Sequence, residues 1–255
     1  MHLFLSPHLD DAVLSCGGLI YQLAQAGEAV TVFSVMAGPL PDGLKPTPFI
    51  TEHLQRWGLG DDPVPGRRAE DTQAVEALGG TVRFGSFPDL LYRTDSEGHA
   101  IYADLEAMFG PIDPRDPVLA QLDEITAPLA EAATVYVPLG AGNHVDHQLV
   151  RNAVLAWLPR APRLAVFFYE EYPYSADGAD VVERALAAMQ RPLETHLTLL
   201  SADALEAKIQ AIACYTSQIS TFWEDKAAMA AAVRRDIVQV GSGQPAERLW
   251  QFETT

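Results

Sequence analysis

Two cysteines in 255 residues, Cys16 and Cys214, are too few for a disulfide framework, and they fit a reducing compartment. Basic side chains are also scarce. Seventeen Lys and Arg stand against 34 Asp and Glu, which leaves a net charge of −17. A field of that sign repels phosphate backbones and anionic lipid, so nucleic acid and membrane surfaces are excluded as natural partners. No unbroken apolar stretch approaches the ~20 residues that span a bilayer. The N-terminus lacks the pattern of a signal peptide, because a charged cluster begins almost at once. The expectation is a soluble, cytoplasmic protein. Internal repeats, low-complexity tracts and inter-domain linkers are all missing. One domain over 1–255 is therefore expected, long enough to bury a large core.

What the chain does carry is two clusters of metal-ligand chemistry. Pro7-His8-Leu9-Asp10-Asp11 follows the apolar run Leu3-Phe4-Leu5, and His144-Val145-Asp146-His147 follows Val135-Tyr136-Val137-Pro138-Leu139. Three imidazoles and three carboxylates thus stand after two predicted strands. Three such side chains with one open position are what a catalytic metal requires, and the others are free to act as base, acid or support. Either cluster alone has a bland reading. A His-x-x-His is often solvated surface, and Asp11, opening a helix, would serve as an N-cap. Their shared strand-to-helix context favours the metal. His8 and Asp11, three apart, can face one ion while Asp10 points elsewhere. His144 and His147 could share a face, though only one need be a ligand. Cys16, further along the same helix, reads as a small buried hydrophobe.

Strands are expected at 3–6, 30–36, 81–84, 135–139, 164–169 and 195–200. Helices are expected at 12–26, 68–78, 117–132, 147–157, 181–189 and 202–215. The Pro- and Gly-rich segment 38–66 reads as an irregular excursion, and 85–128 as a long loop-rich insertion, a type of segment that is more often functional than idle. Repeated βα units predict a single-domain Rossmann-like α/β fold with a mostly parallel sheet and helices on both faces. In such sheets ligands bind at strand carboxyl ends near a switch in strand order. Both clusters fall there.

The same residues resemble the PIG-L/LmbE family of zinc-dependent N-acetyl-sugar deacetylases, marked by a His-x-Asp-Asp after the first strand and a His-x-Asp-His after a later one. Arg67-Arg68-Ala69-Glu70 is similar to the Arg-x-x-Glu opening a family helix, and Tyr215-Thr216-Ser217-Gln218 to a Tyr-x-Ser-Gln near the C-terminus. The resemblance runs from Leu3 to about Gln218. It departs at Ala12, where many members carry Glu, and this puts the support around the ligands in doubt. It implies His8, Asp11 and His147 on Zn2+ (Fe2+ being the other candidate), with Asp10 as the base for the attacking water. His144 would stabilise the tetrahedral intermediate, with Asp146 orienting and charging that imidazole. Arg67 and Asp89 would contact the sugar, and Glu70 would be a structural partner for Arg67. The implied reaction is hydrolysis of the acetyl group from an N-acetylated amino sugar or an N-acetylglucosaminyl conjugate, a small-molecule substrate. Two alternatives stand beside it: a metal-dependent hydratase or lyase on a small unsaturated carboxylic acid, and a non-catalytic carbohydrate-binding module. The insertion 85–128 is expected to wall the pocket through Tyr92, Arg93, Tyr102 and Phe109, its tyrosines and arginine reaching the glycan, or else to be an oligomer contact or a surface embellishment.

Overall fold

The computed structural model describes residues 1–253. Strand β1 (His2–Ser6) lies within a seven-stranded sheet, flanked by β2 (Val30–Ser34) and β4 (Thr134–Pro138). Beyond β2 comes β3 (Thr81–Phe84), and beyond β4 comes β5 (Ala165–Tyr169); all five strands are parallel. The remaining edge is built differently. Strand β7 (Ala246–Phe252) runs antiparallel between β5 and β6 (Leu193–Leu199), giving the order β3-β2-β1-β4-β5-β7-β6. The expected mostly parallel α/β sheet is present, with an antiparallel insert that the sequence reading does not contain.

Alternation along the central strands feeds two cores. Leu3 and Leu5 of β1 join Val135 and Val137 on one face, while Phe4 joins Val32 and Tyr136 on the other. Helix α1 (Asp11–Gln25) covers the second face, packed on α8 (Ala202–Ile212). Helix α6 (Val145–Trp157) covers the first, through Val145, Leu149 and Val150. From β1 the chain proceeds outward to β2 and β3, and from β4 it proceeds the other way to β5. The order therefore reverses between β1 and β4, whose carboxyl ends carry the two clusters.

Several element boundaries differ from expectation for identifiable reasons. The excursion 38–66 contains a helix, α2 (Pro48–Trp57), capped by Thr47 Oγ1 accepting from Ile50 N and closed by Gly58 in the left-handed region. Helix α3 (Val64–Ala77) begins a turn earlier than predicted, so Arg67 lies inside it. The expected helix 117–132 is broken into a 3-10 turn, a short α5 (Leu122–Thr126) and a second 3-10 turn begun by Ala127-Pro128. The insertion adds one further short helix, α4 (Leu105–Met108). Helix α7 (Ala179–Ala188) follows β5, and after α8 come α9 (Thr216–Phe222) and α10 (Lys226–Val240), the latter capped by Asp225.

Candidate metal centre

The turn between β1 and α1 is held by its own side chains. Ser6 Oγ donates to His8 O at 2.6 Å and accepts from Ala12 N at 3.0 Å, while His8 N donates to Asp11 Oδ2 at 2.8 Å. Asp11 is thereby fixed facing back over the strand end. Its Oδ2 also lies 3.1 Å from His8 Nδ1 and 3.3 Å from His147 Nε2, so one carboxylate oxygen meets two imidazoles from opposite halves of the sheet.

The distal ring nitrogens decide what those imidazoles can do. His147 Nδ1 faces Glu171 Oε1 at 3.2 Å, and His8 Nε2 faces Asp146 Oδ2 at 3.0 Å. Both partners are carboxylates and acceptors, so each ring keeps its proton on the distal nitrogen. The lone pairs of His8 Nδ1 and His147 Nε2 are then turned toward Asp11, which is the carboxylate–histidine arrangement of metal ligands. His147 Nε2 is buried and makes no hydrogen bond. An orphaned nitrogen beside a carboxylate oxygen is costly without a cation to accept both. Protonation tells the same story. Burial alone would lower His147, but Asp11 and Glu171 lift it to about 9. His8, likewise buried, is raised well above its ordinary value by Asp11 and Asp146. Protons fill the place a divalent ion would take. His8, Asp11 and His147 therefore fit a metal.

His144 also lies within reach of His8 and His147, but its chemistry differs. It is the N-cap of α6, and its Nδ1 accepts from Asp146 N at 3.2 Å. A neutral imidazole accepting at Nδ1 carries its proton at Nε2 and has no lone pair there for a metal. Burial, then His8 and His147, hold its pKa well below the ordinary value, so it stays neutral. Asp146 orients this ring through its backbone N–H alone. Its carboxylate raises His144 by charge without bonding to it, and its bonds go to His8, to Leu90 N at 3.2 Å and to the buried guanidinium of Arg93.

Asp10 faces the Arg67 guanidinium. Burial and the neighbouring Asp11 push Asp10 up to about 7, and Arg67 lies 3.9 Å away. Its side chain accepts no hydrogen bond from the described residues, which leaves it open to an incoming group. Arg67 is buried. It sits over the Trp57 ring at 4.7 Å and reaches Asp89 Oδ2 at 3.6 Å. Asp10, Arg67 and Asp89 thus line one side of the centre. Tyr174 and Phe109 meet His147 and His144 edge-on from the other.

Other expectations need correction. Glu70 is not a partner of Arg67; it accepts from Ser217 N at 2.9 Å and Ser217 Oγ at 2.6 Å. Next to it, the buried Asp71 accepts from Tyr215 OH and from Ser34 Oγ, each at 2.6 Å. The two outlying motifs are therefore a lock between α3 and α9. Tyr92, Arg93 and Tyr102 of the insertion are buried at 1–2% exposure and cannot stack on a glycan. Arg93 instead bridges Asp146 and Asp116, while the insertion sends only Asp89 and Phe109 toward the centre. Gly140 N and Ala141 N cradle the Glu171 carboxylate. Glu171, Asp146 and Arg93 supply the support that Ala12 put in doubt. Glu171 escapes sequence reasoning because it belongs to no spaced motif, its one available signal being the charged pair Glu170-Glu171 directly after a strand, while Arg93 was noticed but assigned to the glycan.

The sequence model described as GlcNAc-PI de-N-acetylase, of the PIG-L family, matches residues 3–158. The chain is 27% identical over 234 residues to a 2'-N-acetylparomamine deacetylase of Niallia circulans, covering 86% of this chain and 84% of that protein. It is 30% identical over 226 residues to the enzyme of the same name from Streptomyces fradiae, covering 85% and 72% respectively. Among solved structures, the zinc-inhibited form of a teicoplanin deacetylase superposes with a TM-score of 0.84 at 26% identity, over 100% of this chain and 98% of that one.

Proposed function

The chain belongs to the PIG-L family of de-N-acetylases, and we propose that His8, Asp11 and His147 hold its divalent ion. It is a metal-dependent hydrolase that removes the acetyl group from an N-acetylated amino sugar conjugate. We further propose zinc, because two imidazoles and one carboxylate make a common tetrahedral zinc set, with Fe2+ as the other ion such donors accept. The observation that carries the ligand assignment is the placement of Asp11 Oδ2 between His8 Nδ1 and His147 Nε2, with the latter orphaned.

When bound, a divalent ion would polarise the amide carbonyl and acidify water at the site. The chain's own residues do the rest. Asp10, whose oxygens have no competing donor, takes the proton from the attacking water as its oxygen adds to the acetyl carbon. His144 keeps its Nε2–H as a fixed donor toward the carbonyl oxygen on which negative charge grows, and the Asp146 N–H holds it in that tautomer. The C–N bond then breaks as the amine nitrogen takes back the proton that Asp10 holds, which returns Asp10 to its carboxylate form and leaves acetate and the free amino sugar as the products. Arg67 and Asp89 offer a cationic and an anionic group to the sugar hydroxyls from the same side as Asp10. We extend the unit to 1–255, since β5, β6 and β7 complete the sheet that carries the centre. Among the described residues no helix is long and apolar enough to cross a membrane. We place the enzyme in the cytoplasm on its two unpaired cysteines, and its charge leaves nucleic acid and membrane outside its partners.

A panel of N-acetylated amino sugars and their glycosides, assayed for released acetate with the metal-loaded protein, tests the activity. Acetate release that disappears on chelation and returns with added metal is expected; full metal occupancy with no acetate from any member would refute it.

A further inference from the structure

Four basic side chains are buried in this acidic protein: Arg67, Arg93, Arg151 and Lys208. Arg67 has Asp10 and Asp89, Arg93 has Asp116 and Asp146, and Lys208 has Glu247. Arg151, on α6, has no carboxylate within 4 Å among the described residues, although it is only 7% exposed. Its Nη1 donates to Leu139 O at 3.0 Å and its Nε to Asn152 Oδ1 at 3.2 Å. Both acceptors are neutral, and neither bond uses Nη2. Buried charges are ordinarily paired, because leaving one uncompensated is costly. A chain with twice as many acidic as basic groups has no shortage of partners to offer.

The guanidinium is also held in place. It lies against Gly140, at φ 95°, where a Cβ would come within 2.2 Å of Nη1. Beside it opens a cavity of about 460 Å³ between the β4–α6 loop and α7, lined by Phe109, Gly142, Asn143, Arg151, Arg184 and Ala188 among others. The charged groups facing this space are few. Arg184, at the mouth, is paired with Asp180. Glu171 acts on Arg151 from the end of β5, but its oxygens are taken by Gly140 N, Ala141 N and His147 Nδ1. Phe109, in the wall, also meets the His144 ring edge-on with centroids 5.5 Å apart, so the cavity adjoins the metal centre across one side chain.

We propose that this cavity is a carboxylate site, in which the Arg151 guanidinium receives a small monocarboxylate anion with Arg184 at the entrance. A planar guanidinium with a free edge suits a carboxylate, and the neighbouring small residues leave room for a short alkyl group. That the natural occupant is acetate on its way out rests on the deacetylase reading; the site itself does not.

The test is a soak of crystals of the metal-loaded protein with 3-bromopropionate, read by bromine anomalous scattering. The expected result is a bromine peak inside the cavity with the carboxylate on Arg151. The peak should vanish in Arg151→Gln, and also in Ala188→Phe, which fills the space from an exposed helix position and leaves the guanidinium intact. Calorimetric titration with sodium acetate at constant ionic strength should lose one of two binding events in both variants. No cavity peak in the wild type, or a peak unchanged in Arg151→Gln, overturns the proposal. A peak in a protein that releases no acetate from any N-acetyl sugar would keep the carboxylate site and remove the deacetylase reading. Acetate release without a peak would do the reverse.

Discussion

Each titratable side chain at the centre takes its role from what its second polar atom touches. Asp11 and Asp10 are adjacent in sequence, yet one is locked between two imidazoles and the other accepts no hydrogen bond. Asp10→Asn keeps the shape and removes the base, so metal content should be unchanged while kcat falls about 10²–10⁴-fold. Wild-type kcat at full metal load would make Asp10 structural. Glu171→Gln replaces the acceptor that fixes the His147 tautomer, and metal affinity measured by competition with a chelator should drop roughly 10–100-fold. Arg93 stands further out. Removing it in Arg93→Met strands two buried carboxylates, Asp146 and Asp116, and should cost about 3–5 kcal/mol in urea denaturation. At this scale the proposed ligands were legible as two local clusters at strand ends, with the choice of His147 over His144 supplied by the family resemblance. Their supports were not. Glu171 is 24 residues from His147 and Arg93 is 53 from Asp146, and only the folded chain brings them together.

Elements were legible where periodicity and stop signals agreed. Strands β1 to β6 were expected within three residues of their observed ends; for β1, β2, β4 and β5 this is because buried parallel strands read as short apolar runs. Helix α2 was hidden by the Pro and Gly around it, although Thr47-Pro48 and Gly58 are its own start and stop signals. Helix α10 and β7 had no expected counterpart. Asp225 is the cap that announces α10, its Oδ1 accepting from Ala228 N at 2.7 Å. Asp225→Ala should cost about 1 kcal/mol without touching metal content. A comparable effect is expected at the lock between α3 and α9. Tyr215→Phe removes a donor from buried Asp71 and should destabilise by roughly 1–3 kcal/mol, read from the denaturation midpoint. No change would mean that the two motifs meet without holding each other.

At the scale of the whole molecule, the sheet brings residues 8 and 147 together because the chain leaves β1 in one direction and β4 in the other. A centre shared by two halves of a sheet should couple metal binding to overall stability. Chelation should therefore lower Tm; a ligand at 100 times its Kd adds about 2.7 kcal/mol, which for a chain of this size is on the order of 5–10 °C. The insertion between β3 and β4 shows where whole-chain reading misled. Its aromatic and basic residues looked like a glycan wall, but Tyr92, Arg93 and Tyr102 complete the core under the centre. Composition and spacing could not separate those outcomes, because burial there depends on contacts with α6. The central claim is the ligand set, and anomalous diffraction at the metal edge from metal-loaded crystals tests it most directly. The account predicts one peak at about 2.0–2.2 Å from His8 Nδ1, Asp11 and His147 Nε2, with His144 outside bonding distance and its Nδ1 still on the Asp146 N–H. A peak bonded to His8, His144 and His147, with Asp11 turned away, would contradict it.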